Sequence, residues 1–125
     1  IASSLVSKAC FTSGLSKLIT MDGDTIQKPH RPDALYHYIQ DKWIDPDFIV
    51  DITNEFDSKI KAVKAYESQF YNPESKEPET PISSKEFLDT IESKARILGR
   101  SIKTKYGEGF TVESPIGINN LFDIF

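Results

Sequence analysis

Apolar positions at the start of the chain fall at helical spacing, with Ile1, Leu5 and Ala9 beside Val6 and Cys10, and Gly14 closing the run. The pattern predicts a helix already under way at Ile1, with no initiator Met and no cap before it. The expectation is the back part of a larger domain. Leu15 to Gln27 is mixed, and Met21-Asp22-Gly23-Asp24 is a turn signal. In Lys28-Pro29-His30-Arg31-Pro32 two prolines exclude a helix and hold the backbone extended. Ala34 to Gln40 alternates, with Leu35, His37 and Ile39 on one face and Tyr36, Tyr38 and Gln40 on the other, which predicts a strand. After the turn Asp45-Pro46-Asp47, the run Phe48-Ile49-Val50-Asp51-Ile52 predicts a second strand, buried on both faces.

Thr53 is placed to cap a second helix, with Glu55 and Asp57 in its first turn and a stripe of Phe56, Ile60, Val63, Tyr66 and Phe70. Residues 71–82 are polar and carry Pro73, Pro78 and Pro81. A loop of that length in a compact domain is usually functional or mobile, and it is read as a lid. Ser83 and Glu86 form a capping-box pair for a third helix, whose stripe is Phe87, Ile91, Ala95, Leu98 and Ile102. Its acidic residues precede its basic ones, the order the helix dipole favours, and they read as a solvated face. Gly107-Glu108-Gly109 reads as a turn or bulge before an extended segment, Phe110 to Glu113. The tail from Ile118 to Phe125 is too apolar to stay free in water. It is expected to dock on the body or on a neighbouring subunit, making the protein a homo-oligomer. The order helix, strand, strand, helix, loop, helix, strand is α/β in class, with residues 1–125 forming part of one domain and too few strands for a complete wound sheet.

Composition narrows the functions. A net charge of −4 argues against a nonspecific nucleic-acid binder, which needs a basic field. No apolar run approaches the roughly 20 residues that span a bilayer. The single Cys10 forms no internal disulfide and, on the apolar face of the first helix, reads as a buried, inert thiol. No signal-peptide pattern is present, and a reducing cytoplasmic compartment is expected.

A catalytic metal needs about three converging protein ligands. His30 and His37 stand in no H-x-x-x-H or H-x-H pair, and they read as a loop histidine and a half-buried strand histidine rather than ligands. No metal ligand is assigned within the chain. No G-x-S-x-G elbow, P-loop or dinucleotide fingerprint occurs. One cluster stands out, because His30 and Arg31 lie between two prolines just ahead of a strand, where open α/β sheets bind ligands. There Arg31 could hold a carboxylate or a developing oxyanion, or simply form a surface ion pair. Gln69, Tyr71 and Asn72 at the start of the long loop have the composition of a sugar-binding lid, an aromatic plane beside amide groups; an ordinary connector would look the same.

Several segments read together as a known pattern. They are His30-Arg31-Pro32-Asp33-Ala34-Leu35-Tyr36, Pro46-Asp47-Phe48-Ile49-Val50-Asp51-Ile52-Thr53, and Lys61-Ala62-Val63-Lys64-Ala65-Tyr66-Glu67-Ser68-Gln69-Phe70. Lys94-Ala95-Arg96 follows and continues through Gly99-Arg100 to Tyr106-Gly107-Glu108-Gly109-Phe110, and then the tail Ser114-Pro115-Ile116-Gly117-Ile118-Asn119-Asn120-Leu121-Phe122-Asp123. Their order and spacing resemble the C-terminal half of the LmbE/PIG-L family of zinc-dependent N-acetylglucosamine deacetylases. The nearest likeness is to the branch that deacetylates N-acetylglucosaminyl-malate in bacillithiol biosynthesis.

The resemblance implies the C-terminal portion of a Rossmann-like fold with zinc at the C-terminal edge of its sheet. In the family two His and one Asp, from an A-H-P-D-D and an H-P-D-H motif, hold the zinc, and the aspartate base and histidine acid lie in the same motifs. Neither motif occurs in this chain; the second would sit just before Ile1. The expected partners are therefore an N-terminal segment of the same enzyme, which brings the zinc, and a small-molecule N-acetyl sugar conjugate, with no nucleic acid and no membrane. The implied reaction is attack of a zinc-activated water on the acetamide carbonyl, releasing acetate and a free amine. Arg31 corresponds to an arginine that points into the family's active site and is the expected catalytic residue, with His30, Gln69 and Tyr71 on the substrate side. The family's mobile loop supplies a tyrosine that stabilises the tetrahedral intermediate, and Tyr71 is the tyrosine this loop offers. The chain alone is expected to be inactive. A reading from another class is a non-catalytic α/β interaction module that docks a partner through its apolar tail.

Overall fold

The computed structural model describes residues 2–66, 69–70, 78 and 80–124. They form α1 (Ala2–Ser13), β1 (Met21–Asp22), β2 (Thr25–Ile26), β3 (Tyr36–Tyr38), β4 (Phe48–Asp51), α2 (Phe56–Lys64), α3 (Lys85–Ser101), β5 (Gly107–Val112) and a short 3-10 turn, Leu121–Asp123. The chain is a mixed α/β protein with antiparallel pairing: β1 pairs β2, and β3, β5 and β4 form a three-stranded sheet in that order. It divides into two compact units, one of Ile1–His37 with Val112–Ile116 and the other of Tyr38–Thr111 with Gly117–Phe125. None of its helices is long and apolar enough to cross a membrane, among the described residues.

In the first unit α1 runs as the apolar spacing predicts and stops at Gly14, whose N–H returns to the Phe11 carbonyl. None of its residues is buried, and Leu5 and Phe11 are exposed. Cys10 is half-buried rather than enclosed, which corrects its reading as a buried thiol. The turn signal closes a small hairpin, Met21 opposite Ile26 and Asp22 opposite Thr25, with Gly23 in the left-handed region at φ 57°.

The second unit carries the core: Ile52, Phe56, Ala95 and Tyr106, with Ile60 packed against it. Phe56 and Tyr106 stack with ring centroids 3.8 Å apart. β4 and β5 run antiparallel from Phe48 opposite Phe110 to Asp51 opposite Gly107, and the Phe48 and Phe110 rings stack at 5.3 Å. β4 is a strand as expected but is not buried on both faces. It is a sheet edge, and Val50 is 42% exposed. Thr53 does not cap α2. Its N–H and hydroxyl both donate to the Asp51 carboxylate, at 2.9 and 2.6 Å, and its oxygen accepts the Tyr106 N–H, so the helix begins at Phe56 instead. α2 also ends earlier than its stripe suggests, at Lys64, with the Tyr66 N–H bonded to the Val63 carbonyl in a tighter turn and Tyr66 exposed.

α3 follows its predicted stripe, although its cap is Ser84, which accepts the Phe87 N–H, rather than Ser83. Ser83 closes a turn with Thr80. The helix ends with Lys103 at φ 62°, its N–H bonded to the Arg100 carbonyl and that of Thr104 to the Gly99 carbonyl. That is a Schellman closure built on a lysine. Gly107 and Gly109 lie inside β5, not in a turn. They serve close approach: a Cβ on Gly107 would sit 2.8 Å from the Gly99 nitrogen of α3. The tail leaves its large apolar side chains uncovered among the described residues, with Leu121 75% and Phe122 93% exposed, so the expected docking on the body is not seen there.

Candidate functional site

The chemistry-bearing side chains of the first unit gather along one face of α1. The two prolines keep residues 28–32 out of a helix, and His30 ties that segment to the helix end. Its N–H donates to the Ser13 carbonyl at 2.9 Å, and the Ser13 hydroxyl donates to the His30 carbonyl at 2.7 Å. Arg31 is thereby delivered over the Phe11 ring, its guanidinium carbon 5.1 Å from the centroid. Its Nη2 lies 3.5 Å from the Phe11 carbonyl, a long contact at the C-terminal turn. α1 has no basic residue of its own in that turn, so Arg31 supplies the cation that the helix dipole favours there. The fit depends on Gly14, where a Cβ would come within 2.8 Å of Arg31 Nε. Arg31 is exposed, and its fork makes no ion pair with a carboxylate among the described residues. The surface ion pair weighed for it is thus not formed there. The imidazole of His30 is exposed beside it.

One turn earlier on the same face, Ser7 meets Glu113. The Ser7 hydroxyl has two acceptors for its single proton, Glu113 Oε1 and the Ser3 carbonyl at 2.8 Å. His37 Nε2 lies 2.9 Å from the same Glu113 oxygen, with the imidazole side chain only 20% exposed. The Ser7 hydroxyl, and after it the His37 ring, hold the Glu113 carboxyl below the usual carboxylate range. An ionised Glu113 accepts the Nε2 proton and fixes the ring orientation. Ser7 bonds the carboxylate rather than the imidazole, so the three do not form a nucleophilic triad. His37 is the half-buried strand histidine that alternation predicts. Ser7 and Glu113 escaped notice because Glu113 lies 76 residues from His37 and 106 from Ser7, and no local spacing marks it.

Gln69 belongs to the second unit, where it lines a cavity of 320 Å³ with Ile39, Trp43, Phe70, Phe87 and Leu98. The wall is mostly apolar, and its two lysines are occupied: Lys59 pairs with Glu108 at 2.5 Å, and Lys94 donates to the Asp41 backbone carbonyl. Such a wall suits apolar packing more than bond-breaking chemistry. Tyr71 lies outside the described residues, as does the predicted lid apart from Pro78 and residues 80–82. No three His, Cys, Asp or Glu among the described residues converge as a metal site.

The fold and this polar helix face define a mixed α/β protein with antiparallel sheets. No family model matches the chain. Among solved structures it is similar to the conserved protein TT1542 from Thermus thermophilus, with 25% identity and a TM-score of 0.76 over 96% of this chain. The match takes in 47% of that protein's chain, so the present chain spans about half its length.

Proposed function

We propose that this chain is the C-terminal part of a Rossmann-like, LmbE/PIG-L-type deacetylase that removes the acetyl group from an N-acetylglucosaminyl conjugate, N-acetylglucosaminyl-malate being the substrate the sequence motifs favour. The observation that carries the reading is Arg31: a guanidinium braced on Phe11 and Gly14, with donors left for an incoming anion. That suits a carboxylate of the conjugate or the oxyanion that develops as the acetamide is hydrolysed. The described residues do not fit a zinc site, so on this reading the metal and the acid/base pair belong to an upstream segment. This chain then binds and orients, with Arg31 at the polar end of the substrate and His30 beside it. Gln69 and Tyr71 belong to the lid region of the same reading, and the working compartment is the cytoplasm.

The test compares acetate release and zinc content of the whole enzyme with those of its Arg31→Ala variant. Loss of a charge-assisted hydrogen bond, about 1.5–3 kcal/mol, should lower turnover roughly 10- to 100-fold at unchanged zinc content. An unaltered rate overturns the role given to Arg31, and stoichiometric zinc with turnover in the isolated chain overturns the division of labour. One observation favours a second reading, an interaction module or oligomer contact. Phe122 and Leu121 stand exposed on a turn capped by Asn120, whose side-chain Oδ1 accepts the Phe122 N–H. A whole protein that releases no acetate from any N-acetylglucosamine conjugate gives that tail the leading role.

A further inference from the structure

We infer that His37 is a second ligand-contacting residue on the α1 face: its Nδ1 accepts a hydrogen bond from a sugar hydroxyl, while Glu113 positions the ring. The inference rests on the deacetylase reading and deepens it. Three observations converge. First, Glu113 occupies Nε2 at 2.9 Å, and in the tautomer that places the proton on that nitrogen Nδ1 is the acceptor. Second, Nδ1 has no partner among the described residues, and no buried side-chain nitrogen or oxygen among them lacks one, so Nδ1 reaches solvent. A half-buried imidazole with one nitrogen fixed by a carboxylate and the other open is oriented for a ligand. Third, Ser7, which holds Glu113, and Phe11, which holds Arg31, fall at i and i+4 of α1 and share its face, and Gly14, which also meets Arg31, follows directly on the helix end. The anchors of Ser7 and Phe11 lie about 5–6 Å apart, one helical turn. An acceptor and an anion-holding guanidinium anchored one helical turn apart match a ligand that carries hydroxyls and a negative or developing negative charge, as an N-acetyl sugar conjugate does.

A purely structural tie between α1 and β3 would also explain the Glu113 contact, and two substitutions separate the roles. In His37→Gln the amide nitrogen takes the place of Nε2 and keeps the bond to Glu113, but nothing replaces Nδ1. In His37→Asn the amide lies where Nδ1 was and does not reach Glu113. In the whole enzyme, His37→Gln should keep the wild-type melting temperature and raise KM for the N-acetylglucosamine conjugate about 3- to 10-fold with kcat within twofold, the loss of one neutral hydrogen bond. His37→Asn should melt lower yet show a KM nearer wild type. In the wild-type enzyme, ring-nitrogen NMR, with the His37 signals identified by their loss in His37→Gln, should show Nδ1 shifting on titration with N-acetylglucosamine while the Nε2 signal holds. An unchanged KM in His37→Gln, or an unmoved Nδ1 resonance in an enzyme that does turn over the conjugate, overturns this inference alone. A wild-type enzyme that neither binds nor hydrolyses N-acetylglucosamine compounds overturns the deacetylase reading, and this one with it.

Discussion

Replacing Gly99 by alanine tests how α3 sits on β5. In an open helix interior the change would stabilise by about 1 kcal/mol, because alanine is the better helix former. Here the new Cβ would lie 2.8 Å from each of the nitrogen, Cα and carbonyl carbon of Tyr106, well inside ordinary contact. Those atoms are backbone and cannot swing aside. Tyr106 is also held from every direction: its ring stacks on Phe56, its N–H reaches Thr53, and its hydroxyl meets Glu92 and Arg96. Gly107, next in the chain, already approaches Gly99 and the Ile49 methyl as closely as the missing side chains allow. Separating the two elements would loosen the core residues Ala95 and Tyr106 together. Overpacking typically costs about 1–3 kcal/mol, and with backbone as the obstacle the upper half of that range should outweigh the propensity gain. The expected net loss is about 1–2 kcal/mol, a fall of roughly 1 M in the urea midpoint at ordinary slopes. Gly117→Ala is the control, since nothing lies within 4 Å of its Cβ position. An equal or higher urea midpoint for Gly99→Ala, with the control unchanged, would refute the close-approach account.

Two further outcomes concern stability. Lys103→Gly should stabilise by about 0.5–1 kcal/mol, because a left-handed lysine at the end of α3 carries a steric cost that glycine avoids; a lower melting temperature would count against it. The acid limb should depend on Glu92, held low first by its hydrogen bonds from Arg96, and on Asp51, held low by the Thr53 hydroxyl and N–H. Because both carboxyls are depressed on folding, their stabilisation is complete above the unfolded values near about 4 and disappears as pH falls through the lower folded values. Urea midpoints measured across the acid range should therefore fall less steeply for Glu92→Gln than for wild type, and parallel curves would contradict this.

Much of the fold was legible because it is local. The stripe of α3, the hairpin turn at Gly23 and the in-out alternation around His37 each need only a few neighbouring residues. What escaped reading depends on distant partners. Gly107 and Gly109 look like turn residues until α3 is laid against them. Thr53 looks like a helix cap until Asp51 and Tyr106 claim its hydroxyl. Val50 looks buried until β4 proves to be an edge. The candidate site divides the same way: Arg31 stood out between its prolines, whereas Glu113 gains meaning only when the fold carries it to Ser7 and His37.

The stacked Arg31 has a consequence for how a ligand would be met. A free arginine carries about 2 kcal/mol of rotamer entropy, and immobilising such a side chain at a binding event commonly costs about 0.5–1.5 kcal/mol. Resting on Phe11 and wedged beside Gly14, this guanidinium has already surrendered much of that freedom in the folded chain. The contact with α1 thus acts as a rehearsal: the cation waits in one pose, and affinity gains what would otherwise be lost in ordering it. A lysine at the same position would bring the same charge without a plane to lie on the ring, and would arrive at each encounter unrehearsed.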